Sequence, residues 1–312
     1  MSGLGTPPIL KLPVELLRMV VDRLELEDEF RVSRTCRAIR AVLKPRDWPH
    51  TVSSLPRYRQ FEFWVGLAEP LSDYVVCAAC CKMHKAGKDD TPGSPQAPNC
   101  QQHPDYRLDL SYRLRHSHVQ TALKLAARMG AGTATGADRE RFEGIMAPFS
   151  ERHDAESRAS GYYYAQPRVV DGRFLLHAEH GFRPRLMPTG ETFTDRGMGR
   201  MCPHLTSVQQ SNGFLGMCDQ GLLDTGLAAL FDQTQGAHGR CERCPTDYSI
   251  HLGKTWIVCR SWRDLGSYQS PMAEGWTVHV RTAGNNDSAG PTIPHEPGSV
   301  RRMYLEDEER EG

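Results

Sequence analysis

The stretch LPVELLRMVVDRLELEDEFRVSRTCRAIRAVL, residues 12–43, determines how the N-terminal region folds. Its apolar residues recur at four-residue steps, as on one face of an amphipathic helix, and two neighbours widen that face: Leu12, Leu16, Val20 and Leu24, then Leu17 and Val21. Pro13 suits the first position of such a helix. The pattern predicts two further short helices, around residues 28–33 and over 36–43, where Pro45 ends the last one.

The first of these helices has more apolar surface than one small bundle can bury. Three short helices in under forty residues form a unit too small to be very stable alone. We therefore expect the apolar face to dock on a partner or on the rest of the chain. An ordinary amphipathic helix that docks on its own domain is the alternative interpretation.

The same stretch resembles an F-box. The matching features are Leu12-Pro13 followed by Glu15-Leu16-Leu17, the acidic break Glu27-Asp28 and the closing Ser33-Arg34-Thr35-Cys36-Arg37. That family folds as a three-helix unit that docks on a Skp-type adaptor and links a substrate-recruiting domain to a cullin–RING ubiquitin ligase. The resemblance implies that the following residues face the adaptor: Leu12, Pro13, Leu16, Leu17, Val20 and Ile39.

Composition and charge restrict the other possibilities. Lys+Arg and Asp+Glu both total 38, so no overall field attracts nucleic acid or a membrane surface. The longest near-apolar run, residues 74–81, is far shorter than the roughly 20 residues of a membrane span. We expect a cytoplasmic or nuclear protein. A series of basic residues along one helical face could indicate nucleic-acid binding: Arg31, Arg34, Arg37, Arg40 and Lys44. A face that is simply exposed to solvent explains the series better.

Ten cysteines in a reducing compartment indicate metal binding or catalysis rather than disulfides. Zinc is usually held by two close Cys/His pairs separated by a loop. Cys77 and Cys80 form one pair, Cys100 and His103 form another, and a polar Gly/Pro-rich loop separates them. The sequence predicts a zinc site from these four residues, with His84 as a reserve ligand and Cys81 in the core.

A second zinc site is predicted from Cys202, His204, Cys241 and Cys244. A competing assignment joins the two C-x-x-C pairs into one four-cysteine site, and buried thiols without metal are a further alternative. One or two zinc ions are expected, and both sites are structural because four protein ligands leave no position open for water. Cys218 and Cys259 are expected to be small buried apolar residues.

Two catalytic interpretations remain as alternatives. A redox-active C-x-x-C sits at a helix N-terminus beyond a strand, whereas residues 82–88 lead directly into a loop. A zinc deaminase would combine His177 and Glu179 with a later C-x-x-C. Here Arg240 rather than proline precedes Cys241, and His177 lies on a predicted hairpin strand. We expect no catalytic activity from this chain.

The C-terminal region resembles a group of fungal F-box proteins with cysteine-rich C-terminal regions. The resembling pieces are Cys77-x-x-Cys80 with His84, Cys202-Pro203-His204-Leu205, and Cys241-x-x-Cys244-Pro245-Thr246-Asp247-Tyr248, together with residues 262–266. Because the biochemical role of that group is mostly unassigned, the resemblance implies an architecture more than an activity.

The predicted fold is α+β: a three-helix F-box followed by an irregular zinc-stabilised domain with β-hairpins. The predicted organisation is a disordered start at 1–8, the F-box at 9–46, a linker and helix at 47–70, a Cys/His-rich domain at 71–282 and a disordered acidic tail at 283–312. Helices are predicted at 57–68 and 116–129, and hairpins at 168–179 and 248–262. The expected function is a non-catalytic substrate receptor of an SCF-type ubiquitin ligase with an unknown protein target. A zinc-binding nucleic-acid regulator and a zinc hydrolase or deaminase are the alternatives.

Overall fold

The computed structural model describes residues 8–35, 37–42, 47–77, 80–96, 112–153, 161–182, 201–205, 207–209, 215–217, 237–252, 256–267, 273–280 and 292–311. The N-terminal region is helical: a 3₁₀ turn at Pro8–Lys11 precedes α1 (Val14–Val21), α2 (Leu26–Thr35), α3 (Arg37–Val42), α4 (Trp48–Ser53) and α5 (Arg57–Ala68). None of the helices described is both long and apolar enough to cross a membrane.

Helix α4 lies where the sequence predicts a linker. The carboxylate of Asp47 caps it by accepting a hydrogen bond from the backbone N–H of His50 at 3.3 Å, and Pro49 occupies its first turn. Val52 of this helix is buried. The segment folds because two of its apolar side chains, Trp48 and Val52, find contacts on α2 and α5.

An aromatic cluster joins the first helices to α5. The ring of Phe30 on α2 meets the ring of Trp48 at 5.1 Å and that of Phe63 at 5.8 Å, both edge to face. Trp64 lies 5.1 Å from Phe63. Such aromatic pairs stabilise beyond the area they bury, so α2, α4 and α5 form one packed unit.

The next elements connect this unit to the rest of the chain. Strands β1 (Tyr74–Cys77) and β2 (Lys82–Lys85) form a hairpin, and helices α6 (His116–Gly130) and α7 (Gly136–Met146) follow it. Lys124 of α6 is buried and donates hydrogen bonds to three carbonyl oxygens: Ala68 at 2.7 Å, Tyr74 at 2.8 Å and Leu71 at 3.3 Å. These bonds fix the end of α5 and the start of β1 to α6.

Six strands of the described chain form one antiparallel sheet in the order β3-β4-β5-β10-β9-β8. They are β3 (Phe149–His153), β4 (Gly161–Val170), β5 (Arg173–Phe182), β8 (Ala237–Arg240), β9 (Thr246–Leu252) and β10 (Ile257–Ser267), and a separate pair consists of β6 (Ser207–Gln209) and β7 (Leu215–Met217). Both predicted hairpins are confirmed, as β4–β5 and β9–β10. Asp171 and Gly172 form the turn of the β4–β5 hairpin, with φ angles of 48° and 71°.

The sheet has a helix layer on each face. Helices α6 and α7 cover one face, over a core that includes Leu123, Ile145 and Phe174. On the same face a second core surrounds Tyr248 and Ile250. The short helix α8 (Glu274–Thr277) also contacts β10. Helix α9 (Ser299–Glu311) covers the other face.

Helix α9 differs from the predicted disordered tail at 283–312. Val300 and Tyr304 are one helical turn apart and are both buried against the sheet with Trp262. Arg168 of β4 pairs with Asp307 at 3.4 Å, which holds the acidic end of the helix. The acidic segment does contain apolar residues four positions apart. The contacts that order them as a helix come from the sheet. Residues 1–7, 281–291 and 312 lie outside the described part.

Candidate functional site

Helix α1 and the turn before it expose a set of apolar side chains. Their exposed fractions range from 39% at Leu12 to 66% at Met19. We name this set the α1 surface; it consists of Ile9, Leu12, Val14, Leu16, Met19 and Val20. Scattered exposed apolar residues are ordinary, whereas a contiguous patch indicates an interaction site. The α1 surface is therefore a candidate partner interface.

The predicted adaptor-facing residues separate into two groups in the structure. Leu12, Pro13, Leu16 and Val20 are exposed. Leu17 is buried, at 8% exposure, so it holds α1 to its neighbours and does not face outward. The reason is the roughly 100° between successive residues of a helix, which turns Leu17 away from Leu16. Ile39 on α3 is half-buried.

Part of the basic series of the N-terminal region is engaged within the fold. Arg31 pairs with Asp28 at 2.7 Å and also donates a hydrogen bond to the carbonyl oxygen of Gly66. Arg40 donates a hydrogen bond to the carbonyl oxygen of Ser33 at 2.9 Å. These contacts favour structural roles for Arg31 and Arg40 over binding to nucleic acid. Lys44 lies outside the described residues.

The structure brings Cys202, His204, Cys241 and Cys244 together, with their ligand atoms all within 4.8 Å of one another. We call these four residues the β9 cluster, because Cys241 and Cys244 form the turn that leads into β9. In that turn the N–H of Cys241 donates to the carbonyl oxygen of Thr246 at 2.8 Å, and the N–H of Arg243 approaches Cys241 Sγ at 3.4 Å. Cys202 lies in a second tight turn, where its carbonyl oxygen accepts from the N–H of Leu205.

The β9 cluster fits zinc in both chemistry and geometry. Cys241 Sγ lies 3.7 Å from His204 Nδ1. Zinc–sulfur and zinc–nitrogen bonds of about 2.3 and 2.0 Å at a tetrahedral angle separate two ligand atoms by about 3.5 Å. The three cysteines are buried and His204 is half-buried, so most of the cluster is shielded from solvent. Four protein ligands around one position are typical of a structural zinc site.

The thiols of the β9 cluster influence each other's protonation. Burial raises the pKa of the Cys202 thiol to about 12. Hydrogen bonds from Cys202 and Cys244 lower the pKa of Cys241 far below the usual range of a thiol. Hydrogen bonds with Cys202 and Cys241 raise the pKa of Cys244. A zinc ion bound here would replace the thiol protons, because cysteine binds zinc as the thiolate.

The second Cys/His group consists of Cys77, Cys80 and His84, and we name it the hairpin cluster because it lies in the β1–β2 hairpin. Cys80 Sγ and His84 Nε2 are 2.9 Å apart, a hydrogen-bonding distance that must widen to admit zinc. The sequence placed His84 in reserve, behind Cys100 and His103. The structure places His84 beside Cys80, while Cys100 and His103 lie outside the described residues and stay predictions.

The arrangement of the two clusters is inconsistent with one shared four-cysteine site. Cys77 and Cys80 belong to one group and Cys241 and Cys244 to the other. Among the remaining described cysteines, Cys81 and Cys259 are buried in apolar cores, as expected of small apolar residues. Burial raises the pKa of Cys259 to about 12. Cys218 lies outside the described part.

The structure also places the residues that suggested catalysis. Cys77 and Cys80 lie at the turn of a β-hairpin and not at a helix N-terminus, so the setting of a redox pair is not formed there. The ring of His177 stacks on Trp262 at 5.2 Å, and Glu179 pairs with Arg260 at 2.5 Å. Neither belongs to a Cys/His group of the described chain, so the deaminase arrangement is not formed.

Sequence analysis missed a polar pocket beside α9, which lies on the opposite face of the sheet from the β9 cluster. Asp247, Ser249 and His251 alternate along β9 with Tyr248 and Ile250, so the two sets point to opposite faces. This alternation was readable in the sequence as a half-buried strand. The predicted hairpin already joined this strand to β10, whereas the contribution of α9 was not readable because Arg301 and Tyr304 lie about 50 residues further along the chain.

Comparison with known families assigns the N-terminal region. Residues 9–50 match the model of the F-box domain. The chain therefore contains an F-box domain, the kind of domain that binds Skp-type adaptors in cullin–RING ligases. The match ends four residues beyond the predicted boundary of 46 and includes the first turn of α4. No curated protein and no solved structure gives a significant match, so the resemblance of the C-terminal region stays a prediction.

Proposed function

We propose that this chain is a non-catalytic substrate receptor of an SCF-type cullin–RING ubiquitin ligase. The F-box binds a Skp-type adaptor through the α1 surface, and the sheet domain holds a protein target. The observation that supports this most directly is the position of the α1 surface within the matched F-box domain: Leu12, Leu16 and Val20 are exposed there, whereas Leu17 is buried.

A receptor must also hold its target in a defined place relative to the adaptor. Here the contacts between the two parts of the chain support such a role. Phe30 of the F-box contacts Phe63 of α5, and Phe61 of α5 shares a core with Val76 of β1. Lys124 then binds the end of α5 to α6, which packs on the sheet. The path from the α1 surface to the sheet therefore runs through packed elements.

The proposed role of zinc is structural. The β9 cluster would bind one ion through Cys202, His204, Cys241 and Cys244 and would thereby fix the start of β9. The hairpin cluster supplies three ligands of a second site, and Cys100 or His103 is the proposed fourth ligand. In peptide models, such sites contribute binding free energy on the order of 10 kcal/mol to folding.

Co-purification with a Skp-type adaptor tests the receptor proposal. Leu16→Asp places a charge in the centre of the α1 surface, where docking would desolvate it without a partner; that cost is about 3–5 kcal/mol, so binding should weaken by more than about 100-fold. Leu71→Asp is the matched control, because Leu71 is similarly exposed, at 41%, but lies after α5. The parent and Leu71→Asp should carry the adaptor through purification. Retention by Leu16→Asp, or no binding by the parent, would contradict the proposal.

A further inference from the structure

A polar pocket of about 390 Å³ lies on the sheet face covered by α9. It is lined by alternating residues of β4, β5, β9 and β10 and by the inner side of α9; those that matter below are His177, Ser249, Arg260, Trp262 and Arg301. Its volume is within the range of small-ligand sites, at about 300–1,000 Å³. None of these residues belongs to the α1 surface or to either Cys/His cluster.

Three polar atoms of the pocket residues have no hydrogen-bond partner within the described part of the chain. They are the hydroxyl of Ser249, the indole N–H of Trp262 and the Nε2 atom of His177. Ser249 and Trp262 are only 1% and 5% exposed. A buried polar group without a partner costs about 1–3 kcal/mol, and native proteins contain few of them. Several such groups around one pocket are available to a ligand that forms hydrogen bonds.

The charges of the pocket favour an anion. The guanidinium of Arg301 lies over the ring of Trp262 at 5.0 Å and forms no ion pair with any described carboxylate. The nearby carboxylate of Asp247 is already engaged, because it accepts the backbone N–H groups of Gly298 and Arg301, each at 2.9 Å. Arg260 pairs with Glu179 at 2.5 Å. Arg301 donates a hydrogen bond to Nδ1 of His238 at 3.1 Å, so its positive charge contacts an imidazole and is not offset by a described carboxylate.

The neutral donors suit the same kind of ligand. Burial lowers the pKa of His177 to about 4, so its imidazole is neutral near pH 7 and offers an N–H without a charge. The indole N–H of Trp262 can only donate, and the hydroxyl of Ser249 can donate as well. Anionic oxygens in proteins are usually bound by hydrogen bonds from guanidinium groups and from neutral N–H and O–H groups. These bonds are strengthened by the charge.

We propose that this pocket binds an anionic oxygen group, carboxylate or phosphoryl, on a side chain of the protein target. The inference rests on the proposed receptor function, and it adds the chemistry by which the sheet domain recognises the target. Arg301 supplies the charge, Trp262 and Ser249 supply donors, and the aromatic ring of Trp262 forms part of the wall.

The indole N–H signal of Trp262 in the NMR spectrum of the full chain tests this proposal. Comparison with Trp262→Phe assigns the signal, and sodium phosphate, sodium acetate and sodium chloride are then titrated at equal ionic strength. We expect a saturable shift with phosphate or acetate and none with chloride. Tighter binding of phosphate assigns a phosphorylated target side chain, and tighter binding of acetate assigns an aspartate or glutamate.

Two arginine variants separate a built site from a general charge effect. Arg301→Gln should weaken binding at least tenfold, whereas Arg302→Gln, the neighbouring exposed residue on α9, should leave it unchanged. Ser249→Ala gives a second variant with an intact charge and should weaken binding several-fold. The proposal is overturned if neither anion shifts the signal, if chloride acts equally, or if Arg301→Gln binds like the parent.

The test is independent of the adaptor. Leu16→Asp should lose the adaptor and still show the anion-dependent shift of Trp262. If the parent binds the adaptor but no anion, the pocket assignment fails and the receptor function stands. If it binds an anion but no adaptor, the receptor function fails and the pocket is a site of another kind.

Discussion

The ammonium group of Lys124 donates a hydrogen bond to the carbonyl oxygen of Ala68 at 2.7 Å, which fastens the last residue of α5 to the middle of α6. Burial lowers the pKa of this lysine to about 8, so its charged form is costly and is kept by the hydrogen bonds it makes. The bond joins the helix that packs on the F-box to the helix that packs on the sheet.

Replacing Lys124 should loosen this junction. Lys124→Met removes the donor shared by the carbonyls of Ala68, Leu71 and Tyr74 and leaves buried acceptors without it, so we expect a loss of about 1.5–3 kcal/mol in the free energy of unfolding. Denaturant unfolding of the full chain measures the loss. Lys85→Met, on the exposed edge of β2, is the matched control and should change stability by less than about 0.5 kcal/mol. Equal stability of the two variants would contradict the role of Lys124.

Removal of one ligand from the β9 cluster should release one metal ion. Cys241→Ser is expected to bind one zinc ion fewer than the parent in native mass spectrometry, since Cys241 supplies one of the four ligand atoms that lie within 4.8 Å of one another. Cys259→Ala changes a buried thiol of the same core that belongs to neither Cys/His group, and it should keep the metal content of the parent. A parent without metal, or a Cys241→Ser variant with full metal, would refute the ligand role.

The burial of His177 should make the protein less stable in mild acid. Its pKa is about 4 in the folded chain and about 6.5 when unfolded, so the unfolded chain binds more protons between these values. Stability is fully present above pH 6.5 and falls as the pH drops towards 4, by about 3 kcal/mol at most. His177→Gln removes this titration, and unfolding measured against pH should show a flatter slope for it. Parallel slopes for parent and variant would show that His177 titrates normally.

The docking of α9 should depend on Tyr304. Tyr304→Ser removes a buried ring that contacts Trp262 and Val300, and such losses from a core cost about 3–5 kcal/mol. We expect faster hydrogen exchange throughout residues 299–307, measured by mass spectrometry. Glu306→Ser, at an exposed position of the same helix, should leave the exchange slow. Fast exchange in the parent would support the disordered tail that the sequence predicted.

Local patterns in the sequence carried much of the helical structure. Helix α5 has the predicted bounds, and α6 ends one residue beyond the predicted 129, because both follow from helical periodicity and nearby stop signals. Helix α7 was missed although Thr135 and Asp138 form a capping box, since the preceding glycines favoured a loop. In each case the information was within a few residues of the helix.

Contacts between distant residues were harder to predict. The two pairs of the β9 cluster could be matched by ligand type and spacing, whereas the place of His84 beside Cys80 depends on how β2 folds back on β1. The pocket beside α9 needed the pairing of β10 with β5 and the docking of α9 on the sheet, which no local pattern encodes. Leu17 was misplaced because a wide apolar face does not reveal which of its edges meets the bundle.

Hydrogen exchange of the full chain with and without a Skp-type adaptor tests the receptor account most directly. The account predicts that the adaptor slows exchange at residues 9–21 and 37–42, which contain the α1 surface and α3, and leaves the sheet strands at 161–182 and 246–267 unchanged. Slower exchange confined to the sheet, or no change anywhere at saturating adaptor, would contradict it.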